Sequence, residues 1–244
     1  MNLYINSGFL GLNPLYPVRP SIHTQYSGSD KPELFEKNLK IKPDNWYYRN
    51  ISIDYLYNKL GHRCKGIDKI DLNNYILFVG CSHTEGVGNR TIDTFPYLVS
   101  DALKCDYYNL SVGGTGIDTM IHNLNIWLHK IKHQPKYIVW QWPESTRYLS
   151  YDGANISIHG VWQNDINTQN FIIAGDMSNY FYARMKLAEI LLEQLPNVVE
   201  IDFFTKTNKN IFFDCLDLAR DDLHYGVESN KNLATLLLNK LKIS

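Results

Sequence analysis

Two widely separated stretches of this sequence carry side chains of the types that acyl-transfer chemistry needs. Ser82 directly follows Tyr75-Ile76-Leu77-Phe78-Val79-Gly80-Cys81, an apolar run that ends abruptly in small residues. Such a run reads as a buried strand of a parallel sheet, and a serine just past its carboxyl end stands where loops hold reactive groups on a rigid base. Asp221 and His224 lie three residues apart within Asp221-Asp222-Leu223-His224-Tyr225-Gly226, near the C-terminus. At that spacing the carboxylate can fix the imidazole tautomer, and the imidazole can take a proton from a serine hydroxyl. Together the three residues could perform nucleophilic attack on an ester.

Each residue also has a plainer reading. Asp221 and Asp222 could simply cap the last helix, where carboxylates satisfy free N–H groups. His83 competes as the base, but neighbouring side chains in a tight turn diverge, so it reads as a wall of the pocket. Cys81 should point away from Ser82 and behave as a small buried hydrophobe. His129 and His133 stand at i and i+4 and could bind a metal, yet no further ligand accompanies them and they read as a solvated helix face. No metal or cofactor is expected.

The elements that must position these residues follow from hydrophobic period. Strands are expected at Tyr75–Val79, Tyr107–Leu110, Tyr137–Trp142 and Val198–Phe203. Helices are expected over Thr94–Leu103, Ile117–Lys132 and Asn179–Leu195, with a final helix carrying Leu233, Leu236, Leu237 and Leu241. Strands alternating with helices predict an α/β fold, a three-layer α/β/α sandwich with a central parallel sheet of flavodoxin-like type. Residues 143–176 show no sustained period and are rich in Asn, Gly, Ser and aromatics, which marks a long substrate-facing insertion. Residues 1–70 are expected to be an arm and extended segments that pack on a main domain at 71–244. Prolines 14, 17, 20 and 32 predict an irregular course up to about Lys40. Asn45–Arg49 and Ile51–Tyr55 are expected to be extended.

The chain has 244 residues, a formal charge of -1 and a pI near 6.7, so nothing draws it as a whole to nucleic acid or to an anionic membrane. Its four cysteines, Cys64, Cys81, Cys105 and Cys215, form no Cys-x-x-Cys pair and read as reduced thiols. The N-terminus carries no basic stretch followed by a long apolar one, and no segment has the length of a membrane span. The expected location is the cytoplasm, with release in a virion or by another route left open. The arm either docks on its own main body or serves a homo-oligomer contact.

With Gly80-Cys81-Ser82 first, Asn109-Leu110-Ser111-Val112-Gly113-Gly114-Thr115 second and Asp221-x-x-His224 last, the sequence resembles the SGNH (GDSL-type) hydrolase superfamily from about Tyr75 onward. Tyr48-Arg49 and Asn58-Lys59-Leu60-Gly61-His62-Arg63 match a pattern that precedes some of these domains. The resemblance implies that Ser82 is the nucleophile, His224 the base and Asp221 its orienting partner. It also implies an oxyanion hole made from the backbone N–H groups of Ser82 and Gly114, with Gly113 as the alternative. Cys81 stands where the superfamily has Asp. The superfamily's third block, Gly-x-Asn-Asp, is missing, for the third strand runs into Gln141-Trp142-Pro143-Glu144-Ser145-Thr146-Arg147. Gln141 is the candidate replacement donor, and His83, Trp142, Glu144 and Arg147 are candidate substrate contacts. With Tyr148, Tyr151 and Trp162 in the following insertion, the expected substrate is a short acyl ester, such as an acetylated carbohydrate. An O-acyltransferase, or a carbohydrate-binding or structural protein with a degenerate site, are the alternatives.

Overall fold

The computed structural model describes residues 21–152, 155–162, 166–173, 176–202, 211 and 213–243. In chain order the elements are β1 (His23–Thr24), α1 (Pro32–Ile41), β2 (Tyr55–Leu56), β3 (Tyr75–Val79), α2 (Ser82–Glu85), α3 (Phe95–Leu103), β4 (Asp106–Asn109), α4 (Ile117–Lys130) and β5 (Tyr137–Gln141). They are followed by β6 (Tyr148–Asp152), β7 (Asn155–His159), α5 (Ile166–Ile173), α6 (Asp176–Glu193), β8 (Val198–Ile201) and α7 (Val227–Ile243).

The main sheet is parallel, in the order β4-β3-β5-β8. All five residues of β3 are buried, and their alternation divides the core in two. Tyr75, Leu77 and Val79 face Met120, Leu124 and Trp127 of α4 and Ala188 and Leu192 of α6. Ile76 and Phe78 face Phe95 and Val99 of α3 and Leu233, Leu237 and Leu241 of α7. Helices therefore cover both faces, and the fold is the three-layer α/β/α arrangement. Among the described residues, no helix is long and apolar enough to cross a membrane.

Three local expectations are corrected. Pro32 opens α1 instead of breaking it, because at the first helical position its missing N–H would have had no partner anyway. Tyr47–Asn50 forms a 3-10 turn where extended backbone is expected. Tyr148–Asp152 pairs antiparallel with Asn155–His159, and α5 follows, within the stretch expected to be an irregular loop.

The segment from residue 21 to 63 is built onto the end of the sheet that carries the candidate site. Tyr48, Ile53, Tyr55 and Tyr57 form a third core with Ala219 and Val227, next to the Asp221–His224 turn. Asp30 and Arg220 are both buried, and Asp30 Oδ2 lies 2.7 Å from the guanidinium. The first twenty residues of the expected arm lie outside the described residues.

Candidate active site

β3 ends at Gly80, where a Cβ would lie 2.2 Å from Thr84 Oγ1 and 2.9 Å from Gln141 Oε1. Only glycine lets the chain turn this tightly from the strand into α2, and the turn makes Ser82 the first residue of that helix. Ser82 is 7% exposed and its side chain makes no hydrogen bond among the described residues. Its backbone N–H belongs to a first helical turn, which has no intrahelical acceptor. Arg63 holds the far end of α2, donating to Gly86 O at 2.6 Å, Asn89 O at 2.7 Å and Asp54 O at 3.2 Å. Its guanidinium lies 4.1 Å from the Tyr55 ring centroid. The Asn58–Arg63 stretch thus fixes the turn that carries Ser82 from behind.

Asp221 and His224 form a tight pair. His224 Nδ1 lies 2.6 Å from Asp221 Oδ2, while Asp221 Oδ1 accepts the backbone N–H groups of Leu223 at 3.2 Å and His224 at 3.1 Å. Asp221 does not cap α7. That role falls to Asp217, whose carboxylate accepts Glu228 N at 3.1 Å and Ser229 N at 2.8 Å. Burial alone would raise the Asp221 carboxyl. The hydrogen bond and charge of His224, then the Ser29 hydroxyl, outweigh burial and hold the group below the usual carboxylate range.

The two halves of the site meet through the residues beside them. The His83 ring centroid lies 4.7 Å from that of His224 and 4.2 Å from that of Tyr225. Arg220 N donates to Gly88 O at 3.1 Å, and Asn89 Nδ2 donates to Tyr225 O at 2.8 Å. These contacts bring the loop after Ser82 onto the loop that carries His224. Among the described residues, no hydrogen bond joins Ser82 to His224. His83 has its pKa pushed well below the ordinary histidine value by burial and then by the neighbouring His224 and Arg147 charges. An imidazole that resists protonation so strongly is a poor proton acceptor, and this disfavours it as the base.

The candidate oxyanion donors separate clearly. Gly113 N donates to Glu85 Oε2 at 2.5 Å, so it is already engaged. Gly114, at φ +81°, makes no backbone hydrogen bond through its N–H among the described residues. Gln141 does not turn its amide toward Ser82. It is fully buried, its Oε1 accepts Cys81 N at 3.1 Å, Cys81 Sγ at 3.2 Å and Thr84 Oγ1 at 3.0 Å, and its amide nitrogen donates to Trp142 O. Gln141 is therefore a clamp on the turn before Ser82. Cys81, 0% exposed and bonded to it, has no access to substrate.

The expected substrate contacts fare unequally. Trp142 is not on the rim: it is 5% exposed, packs in the core and donates its indole N–H to Glu200 at 2.8 Å. Glu144 accepts Thr146 N and Oγ1 at 2.9 and 2.5 Å and so shapes its own turn. Arg147 is half-buried and donates to Thr115 O at 3.2 Å, beside Gly114. Trp162 is 48% exposed, with the Arg147 guanidinium 5.3 Å from its ring. The Tyr151 side chain lies outside the described residues. His133 bonds Asn73 at 3.1 Å.

Two residues escaped sequence reasoning. Ser29 donates to Asp221 Oδ2 at 2.6 Å from a segment almost two hundred residues away, and no local signal marks it. Glu85 is 5% exposed and links Gly113 N to the Tyr57 hydroxyl, which lies 2.7 Å from Oε1. A carboxylate one helical turn after the serine, inside a block of small and apolar residues, was the available clue.

The fold and the three motif blocks make this an α/β protein resembling the SGNH hydrolases. Neither a protein-family model nor a curated protein sequence matches the chain. Among solved structures it is similar to a carbohydrate esterase whose active site is described as having divergent catalytic and non-catalytic binding functions. That likeness has 15% identity over 78% of this chain and 81% of the other, with a TM-score of 0.48. It is also similar to an acetyl xylan esterase from the rumen bacterium Butyrivibrio proteoclasticus, at 15% identity over 70% and 63% of the two chains and a TM-score of 0.40. A third likeness is to a putative lipolytic protein of the G-D-S-L family from Desulfitobacterium hafniense, at 10% identity over 68% and 99% and a TM-score of 0.38.

Proposed function

We propose that this protein is a serine esterase that cleaves short acyl esters, acetyl above all, from a carbohydrate. Ser82 attacks the acyl carbon, His224 takes the hydroxyl proton and returns it to the leaving alcohol, and Asp221 orients the imidazole. Water then releases the acyl group from Ser82 with His224 again as base. The N–H groups of Ser82 and Gly114 receive the developing oxyanion.

The observation that carries this reading is the 2.6 Å Asp221–His224 pair, formed by a carboxylate that has no capping duty on α7. A partly buried, oriented imidazole lying against the residue after Ser82 has an evident use as a base and no evident structural one. Its test is labelling with a fluorophosphonate probe, read by peptide mapping. Ser82 is expected to be modified in the wild type and unmodified in His224→Ala. Stoichiometric labelling of Cys81 or another serine would defeat the assignment. Turnover should also fall from acetyl to long-chain p-nitrophenyl esters.

One observation favours a weaker or non-catalytic site. With Gln141 turned away, two backbone donors remain for the oxyanion, and loss of a single such donor slows related chemistry by roughly a hundredfold to a thousandfold. A carbohydrate-binding protein on the same fold would leave Ser82 unlabelled while keeping affinity for the sugar.

A further inference from the structure

Six arginines lie among the described residues, and five have their charge or donors met within the protein. Arg220 pairs with Asp30, Arg184 with Asp118, Arg90 with Asp93 and Arg49 with Asp44. Arg63 is surrounded by backbone carbonyls. Arg147 is the exception. Among the described residues its side chain makes one hydrogen bond, from Nη1 to Thr115 O. Among the described residues no carboxylate lies within ion-pair distance of it. Glu144, the nearest acid in sequence, has both its oxygens on Thr146.

A half-buried guanidinium without a counter-charge among the described residues is unfavourable, because burial removes hydration that one hydrogen bond replaces only in part. The backbone of the residue that carries it is nevertheless fixed in place. Gly116 lets the Arg147 backbone come so close that an added Cβ would lie 2.8 Å from its carbonyl oxygen, and Arg184 donates to that same oxygen at 3.4 Å. The site it is held against is the candidate active site. Thr115 follows Gly114, and the Arg147 charge is one of the influences that disfavour protonation of His83. The Trp162 ring, about half exposed, borders the guanidinium on another side.

We propose that Arg147 receives a carboxylate carried by the sugar of the substrate, so that the preferred substrates are acyl esters of acidic sugars. The planar fork of a guanidinium matches a carboxylate through two parallel hydrogen bonds, and Nη2 has no acceptor among the described residues. Trp162 offers an aromatic face to the sugar ring while the carboxylate meets Arg147. The proposal rests on the esterase reading for turnover, but its binding component does not.

The experiment compares acetylated glucuronic acid with acetylated glucose on the full chain, following acetate release. The acidic ester is expected to show a KM about tenfold lower, with kcat little changed, as one charge-assisted pair made in ground and transition states alike would give. Arg147→Gln should abolish that ratio, and Arg147→Lys should keep part of it, which also shows that loss in the first variant is not misfolding. Calorimetric titration of Ser82→Ala with both sugars is the second arm, expected to show tighter binding of the acidic one. Equal KM values for the two esters, with acetate released from both, overturn the proposal and leave the esterase intact. If neither ester is cleaved and Ser82 is never labelled, the esterase reading fails, and equal affinity of Ser82→Ala for the two sugars would then overturn the carboxylate site as well.

Discussion

Acidification should loosen the turn that carries Ser82 through His62. This imidazole is fully buried, with Nδ1 3.1 Å from the Tyr108 hydroxyl, and burial lowers its pKa from the ordinary 6.5 to about 4. The sign follows directly. The folded pKa is below the unfolded one, so between the two the unfolded chain binds the proton and the folded one does not, and stability must fall as pH falls. The contribution is fully present above about pH 6.5, is lost through the window down to about pH 4, and is then gone. A difference of 2.5 units at 1.36 kcal/mol each makes the full loss about 3 kcal/mol. Arg63, the next residue, holds Gly86 O and Asn89 O, so the loosening is transmitted to the end of α2. Urea unfolding at a series of pH values would measure it, as the difference between wild type and His62→Asn. That difference cancels the other groups that titrate in acid, His83 and Asp221 among them. The wild type should lose about 3 kcal/mol more than the variant between neutral pH and about pH 4. Parallel stability curves for the two proteins, or a His62 ring that titrates near 6.5 by NMR, would refute the reasoning.

Two further substitutions test the N-terminal segment. Asp30→Ala leaves the Arg220 guanidinium, 3% exposed, without its carboxylate and should lower unfolding free energy by roughly 3–5 kcal/mol, measured by denaturant titration. A loss under about 1 kcal/mol would mean that this segment contributes little to holding the site. Ser29→Ala removes the 2.6 Å bond to Asp221, and a hydrogen bond to a charged group contributes about 1.5 kcal/mol, so kcat/KM on p-nitrophenyl acetate should drop roughly tenfold. Unchanged kinetics would show that Asp221 is oriented by its own turn alone.

What was legible in the sequence was whatever depends on residues near one another in the chain. Tyr75–Val79 announces a strand buried on both faces because every residue in it is apolar or aromatic, and α4 announces itself through Ile117, Ile121, Leu124 and Leu128 at helical spacing. Asp221 and His224 could be paired on paper because three residues of one turn bring them together, a purely local geometry. Tertiary structure alone decided the remainder. Whether Asp221 capped α7 or oriented His224 depended on Asp217 being present to cap instead, and Gly226 in between gives no hint of it. Whether Gln141 faced the cleft or the core depended on three donors converging from the turn after β3, since a side-chain amide satisfies its oxygen wherever donors are densest. That Gly113 N is engaged while Gly114 N is not depended on Glu85, whose carboxylate takes the first N–H. Ser29, Asp30 and Arg63 reach the site across separations over which hydrophobic period carries no information, because a buried polar contact is specified by where two chains meet in space.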